Sequence, residues 1–237
     1  MISIKNYSKT YNNGKKAVDN LSLEVLPGDL FAFIGHNGAG KSTTLKSIVG
    51  ILPFEEGEIL IDGKSVKDDP IECKKIIGYI PDNPDLYNSL SGIGYLNFIA
   101  DLFKVSSEKR KNIIEHYAKL FGLENDLNNI ISSYSHGMKQ KLALISAFVH
   151  EPKVLIMDEP FVGLDPKATF IVKSAMKEFC ENGGSIFFST HILEVAQKLC
   201  NKIAIIKDGK LIISGDMEVV TKDARLEEVF LELTDNA

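Results

Sequence analysis

At 237 residues, with 44% hydrophobic and 25% charged side chains, the chain has the composition of an ordinary globular protein, long enough to bury a sizeable core without disulfide or metal staples. Its net charge of −5 and the lack of a clustered Lys/Arg face exclude phosphate-backbone binding as the main activity, so no nucleic acid partner is expected. Cys73, Cys180 and Cys200 form neither a CxxC pair nor a metal-ligand spacing, which fits packed or idle thiols in a reducing cytoplasm.

The opening MISIKNYSKTY has neither the basic start nor the apolar core of a secretory signal, and no later run approaches the roughly 18 apolar residues that a membrane helix requires. The chain is therefore expected not to cross a bilayer. Short apolar runs at residues 30–34, 154–157, 186–188 and 203–206, with stretches of helical spacing between several of them, predict an α/β fold with a mostly parallel sheet. Asp62-Gly63 and Asp208-Gly209 each separate two strand-like runs and predict hairpins, so the fold also has an antiparallel β part. From Pro81 to Val149 the β-branched runs give way to helical spacing, with Tyr95, Phe98, Ile99 and Leu102, then Ile113, Ile114, Tyr117, Leu120 and Phe121. This stretch reads as a helical insertion. No internal repeat, low-complexity tract or flexible linker interrupts the chain.

Gly35-His36-Asn37-Gly38-Ala39-Gly40-Lys41-Ser42 fits the phosphate-loop pattern G-x-x-x-x-G-K-[ST], and it has the required context, an apolar strand before it and helical spacing from Thr43 onward. Glycines let several N–H groups converge on one anion, and the helix start adds its positive dipole end. Lys41 is placed to reach the terminal phosphates of a nucleotide and Ser42 to ligate magnesium. Residues 35–43 are the candidate phosphate contacts. Further on, the buried run 154–157 ends in Asp158-Glu159-Pro160, two carboxylates at the carboxyl edge of the sheet, where ligands of open α/β sheets bind. We assign Asp158 to the metal and Glu159 to the attacking water.

Between these motifs lies Tyr134-Ser135-His136-Gly137-Met138-Lys139-Gln140-Lys141, which looks like the signature motif, usually LSGGQ, of the nucleotide-binding subunits of ABC transporters. Gly163-Leu164-Asp165-Pro166 looks like that family's D-loop and His191 like its switch histidine, so the resemblance covers essentially the whole chain. It implies a P-loop NTPase over residues 1–237, with a RecA-like core from 1–82 and 151–237 and a helical signature subdomain over 83–150. ATP and Mg2+ are the implied cofactors. In such a protein two subunits, as a homodimer or a heterodimer with a second ATPase, sandwich two ATP molecules head to tail. The signature of one then caps the phosphate loop of the other. Ser135, placed as a helix N-cap, and Gly137 are the implied trans phosphate contacts, with Met138 beside them at the nucleotide. Asp165 would sit at the dimer seam. Tyr11 matches the aromatic that stacks on adenine. Lys41, Glu159 and His191 form the implied catalytic set, and Ser42, Asp82 and Asp158 the metal set. Asp82 stands where the family usually has glutamine; a carboxylate there can bind magnesium but cannot donate hydrogen bonds as an amide does.

The YSHGM signature, Asp82 and the ending Leu226-Glu227-Glu228-Val229-Phe230-Leu231-Glu232-Leu233 together resemble ATPases of bacterial exporters whose permease is a separate chain. That implies a membrane permease docked near Asp82 and the helical insertion, and a cytoplasmic, membrane-peripheral location. Tyr87 and Phe98 are candidates for the docking groove or for helix-core packing. The alternative is a soluble ABC ATPase of an assembly system, such as iron–sulfur cluster assembly, which would carry the same motifs without a permease.

Overall fold

Residues 30–34, 154–158 and 185–190 are buried without exception, a pattern of strands covered on both faces. In the computed structural model, which describes residues 1–222 and 224–235, these three runs are strands. From the amino end, β1 (Ile2–Thr10) and β2 (Lys16–Val25) pair antiparallel and lead to β3 (Leu30–Ile34) and α1 (Lys41–Ile48). The chain then forms β4 (Glu56–Ile61), β5 (Lys64–Ser65), α2 (Pro70–Lys75) and β6 (Ile77–Ile80). Three helices follow, α3 (Gly92–Leu102), α4 (Ser107–Phe121) and α5 (His136–Phe148), with a 3-10 turn (Ile131–Ser133) before the last. The remaining chain runs β7 (Val154–Asp158), α6 (Pro166–Glu181), β8 (Ser185–Thr190), α7 (Leu193–Leu199), β9 (Lys202–Lys207), β10 (Lys210–Asp216), α8 (Met217–Thr221) and α9 (Leu226–Asp235).

The large sheet has the order β10-β9-β3-β8-β7-β6, parallel throughout except for the β9–β10 hairpin. The smaller sheet, β2-β1-β4-β5, is antiparallel and contains the other Asp-Gly hairpin. Alternate residues of the large sheet serve two cores. Ala32, Ile34, Leu155, Met157, Ile186 and Phe188 face the helical layer, while Phe31, Phe33, Val154, Ile156 and Phe187 face α1 and the small sheet. Among the described residues no helix is long and apolar enough to cross a membrane.

The helical stretch differs in one respect from its apolar pattern. The buried face of α3 is Gly92, Leu96 and Ala100, whereas Phe98 and Leu102 are exposed. Small residues take the inner face because the helix approaches its neighbours closely: a Cβ at position 92 would lie 2.3 Å from the Tyr134 hydroxyl, which donates to Asp126 O at 2.6 Å. Phe98 and Leu102 are left outside. Helix starts are fixed by side-chain caps, Ser91 accepting from Gly94 N–H at 3.1 Å and Ser135 from Met138 N–H at 3.3 Å.

Phe187 is fully buried in the large sheet with ring centroids 5.5 Å from Phe31 and 5.2 Å from Phe33. Phe187→Ala is expected to destabilise the fold by about 3–5 kcal/mol, measured by urea unfolding. A loss below about 1 kcal/mol would mean that this site collapses around the cavity.

Candidate active site

The parallel strands end in register: Ile34 pairs with Thr190, Asp158 with Ser189, and Ile80 with Met157. Whatever follows each strand therefore emerges along one carboxyl edge. After β3 comes the phosphate loop, after β7 the acidic pair, after β8 His191 and after β6 Asp82. A cavity of about 270 Å3 opens there.

The loop turns into α1 at Gly40, whose φ of 108° is left-handed and whose Cβ, if present, would lie 2.5 Å from Ala17 O. No side chain caps α1, and Thr44 N–H bonds to Gly40 O at 3.0 Å. The N–H groups of Lys41, Ser42 and Thr43 have no intrahelical acceptor and mark an anion site at the positive end of the helix. His36, Asn37, Gly38, Gly40, Lys41, Ser42 and Thr43 line the cavity, with Tyr11, Asp82, Asp158 and Glu159 among its other walls. Gly35 lies behind the loop against Ile206, and the Ala39 methyl is buried in the core, so these two act only through backbone.

Lys41 is 6% exposed, and its ammonium donates to Gly35 O at 2.6 Å and His36 O at 3.3 Å, 3.9 Å from Glu159 Oε1. Burial pushes its pKa below the usual lysine value, against the opposing pull of the Glu159 and Asp158 charges. Asp158 is buried, and Glu159 adopts a left-handed φ of 49°, a strained backbone for a non-glycine. Ser189 holds both: its hydroxyl donates to Asp158 Oδ1 at 2.5 Å and accepts from Glu159 N–H at 3.0 Å. The Glu159 carboxylate in turn accepts from His191, through Nδ1–H at 2.9 Å and the backbone N–H at 3.4 Å. His191 thus stands on Glu159 rather than in the cavity wall. The Tyr11 hydroxyl is 3.1 Å from Thr43 Oγ1, and its ring is 39% exposed.

Ser42, Asp82, Asp158 and Glu159 offer only oxygen donors, the set a hard divalent cation prefers. Among the described residues no three acidic, histidine or cysteine side chains form a cage of their own. The oxygen donor set fits Mg2+, which keeps waters and phosphate oxygens in its shell. Asp82 is exposed and turns Oδ1 back to Asn83 N–H at 2.8 Å.

Ser135, Gly137, Met138 and Asp165 do not reach this cavity. Ser135 caps α5, and Asp165 caps α6 by accepting from Ala168 N–H at 2.8 Å, a bond that holds the Asp165 carboxyl below its ordinary range. Two further wall residues, Lys15 and Ala17, escape the motif reading. The turn at residues 12–14 brings β2 back beside Tyr11, with Tyr11 N–H on Lys15 O at 2.9 Å, and the alternation of apolar residues along β2 is the signal for it.

An uncapped helix start behind a parallel strand, a buried lysine and an acidic pair at the carboxyl edge define a P-loop nucleoside triphosphatase. The ABC transporter family model matches residues 18–162. An uncharacterised ABC transporter ATP-binding protein of Bacillus subtilis (strain 168), YhcH, is 37% identical over 96% of this chain and 72% of its own length. A solved ATP-binding subunit of an ABC transporter superposes with a TM-score of 0.94 at 33% identity, covering 99% of each chain. The dimeric post-hydrolysis structure of the ATP-binding cassette MJ0796 bound to ADP and Pi matches with a TM-score of 0.82 at 27% identity, over 92% of this chain and 99% of that one. The chain belongs to the ABC transporter family and is an ATP-binding, ATP-hydrolysing cassette.

Because Ser189 bridges the acidic pair, Ser189→Ala is expected to lower kcat about 10- to 100-fold with little change in KM for ATP. An unaltered kcat, in a variant that melts with the wild type, would remove Ser189 from the working site.

Proposed function

We propose that this cassette hydrolyses ATP to drive solute export through a membrane permease on a separate chain, working as half of a head-to-tail dimer on the cytoplasmic face. The observation that carries the reading is a divided site. Lys41, Asp158 and Glu159 line the cavity, whereas Ser135 and Asp165 stand exposed outside it, Ser135 at a second helix start. A second copy turned head to tail brings the N-terminus of its α5 to the far side of the phosphates, so that two helix dipoles face the same anion. Gly137 and Met138 then meet the nucleotide from the partner's side, and Asp165 lies at the seam.

Within one site the N–H groups at the start of α1 and the Lys41 ammonium hold the terminal phosphates, and Tyr11 stacks on adenine. Glu159 takes the proton of the attacking water. His191, bound to Glu159 through Nδ1–H, keeps Nε2 for the γ-phosphate. Ser42, Asp158 and Asp82 are the donors for Mg2+, which when bound neutralises phosphate charge.

The docking reading rests on what the helical stretch leaves outside. Tyr87 is 57% and Phe98 39% exposed, their rings edge to face at 5.5 Å, so they pack on each other rather than in the helix core. Beside them a groove of about 300 Å3 runs between the core and α3, and in it the Tyr79 hydroxyl and His150 Nδ1 are buried without a hydrogen-bond partner among the described residues. Exposed aromatics beside an open groove favour a partner that covers both. In this account residues 83–150 form the unit that carries the signature and moves with the permease.

Glu159→Gln keeps the shape of the side chain but loses the basic oxygen, so turnover is expected to fall on the order of a hundredfold or more while ATP still binds. Gel filtration with ATP should show this variant as a dimer, and a monomer with ATP demonstrably bound would contradict the head-to-tail reading. Cell fractionation tests the permease: the chain should sediment with membranes and copurify with an integral membrane protein. Recovery wholly free of membranes would favour the assembly ATPase.

A further inference from the structure

His136 opens α5, and its imidazole lies against the backbone of Gly163 in the turn that follows the acidic pair. A Cβ built on Gly163 would come 2.3 Å from His136 Cδ2 and 2.6 Å from Nε2, so the ring fills the space a side chain there would need. Gly163 has a left-handed φ of 77°, a conformation that resists any L side chain. A Cβ on Gly137 would lie 3.4 Å from Gly163 O, so the two backbones also run close. The turn is tied at both ends. Val162 N–H donates to Glu159 O at 3.2 Å, and Asp165 caps α6. On its other side His136 borders a polar cavity of about 430 Å3 with Asn83, Asp85 and Lys139, and the Lys139 ammonium reaches Asn88 Oδ1 at 2.9 Å.

The imidazole therefore meets two segments directly, the start of α5 that carries it and the turn after Glu159, and faces the loop after Asp82 across the cavity. His136 and Gly163 are both exposed, and the ring rests directly on the backbone of the turn, so a shift of either presses on the other at this surface contact. We propose that His136 is a positioning residue that keys the start of α5 to the 160–165 turn, so that a group seated on Ser135 also sets Glu159 of the same chain. This rests on the head-to-tail reading, in which the seated group is the nucleotide of the opposite site. Capture at one site then prepares the glutamate of the other, and the two turnovers are linked.

The test is a cycle of four full-length proteins: wild type, His136→Gly, Gly163→Ala and the double variant. Linked turnovers predict a sigmoidal dependence of wild-type rate on ATP; His136→Gly is expected to flatten it and to lower kcat about fivefold with KM for ATP within about twofold. Gly163→Ala should cost about three- to tenfold more when His136 is present than when it is glycine, the signature of a direct contact. His136→Phe keeps a ring of similar size and should retain kcat within about twofold, which a loss of folding could not mimic. Losses that simply multiply across the cycle, or a His136→Phe variant as slow as His136→Gly, would overturn the keying role. Each variant is also paired with Glu159→Gln and run on gel filtration with ATP. Dimers that form there while the cycle shows no coupling refute the keying alone, and dimers that fail even with His136 and Gly163 intact refute the head-to-tail reading beneath it.

Discussion

Ile34, Asp158 and Thr190 end three adjacent parallel strands within one residue of the same level, and the phosphate loop, the acidic pair and His191 hang from that edge. The level is set by packing rather than by the site itself. Alternate residues of β3, β7 and β8 interdigitate with two separate cores, so a strand that slipped by one residue would exchange the two faces and misplace both. With the edge fixed, the phosphate loop has to turn within a few residues, and Gly40 makes that turn against Ala17 O. The small sheet thereby supports the loop from behind and also delivers Tyr11 and Lys15 to the cavity.

Charge is arranged around this edge in the opposite sense to what a resting protein would choose. Lys41 spends its hydrogen bonds on the loop's own carbonyls and pulls weakly on Glu159 across 3.9 Å, while two neighbouring carboxylates share a largely buried corner. Each element waits for a counter-charge: the ammonium and helix start for phosphate, the carboxylates for a cation. Glu159 is held in a left-handed backbone by Ser189 and by His191, and such strain persists only where surrounding bonds over-determine it.

The fold and half of the site were legible because they are written in contiguous runs. The phosphate loop and the acidic pair each follow a fully buried strand, and the Asp-Gly hairpins fall at residues 62–63 and 208–209 as read. The rest depends on distance in the chain. Ser189 acts on Asp158 from 31 residues away, and nothing local marks its hydroxyl. β1 pairs with β2 through register shifts, and Asn6 and Asn20 take positive φ there, so its alternation is broken where a periodic reading needs it. In α3 the pattern is half right. Tyr95 packs against the core and Leu96 is buried, but Gly92 and Ala100 share the inner face for close approach, and Phe98 and Leu102 are exposed.

A cassette built this way holds the phosphates from one side only, and the central claim is that the second side comes from another copy. Cross-linking reads that geometry directly. Two chains, each carrying Glu159→Gln, are prepared, one with Asn37→Cys in the phosphate loop and the other with Ser135→Cys at the start of α5, and mixed under mild oxidation with and without ATP. The account predicts an interchain disulfide between 37 and 135 that requires both chains and ATP. Its absence with ATP bound, or an intrachain bond when both cysteines are placed in one monomeric chain, would contradict it.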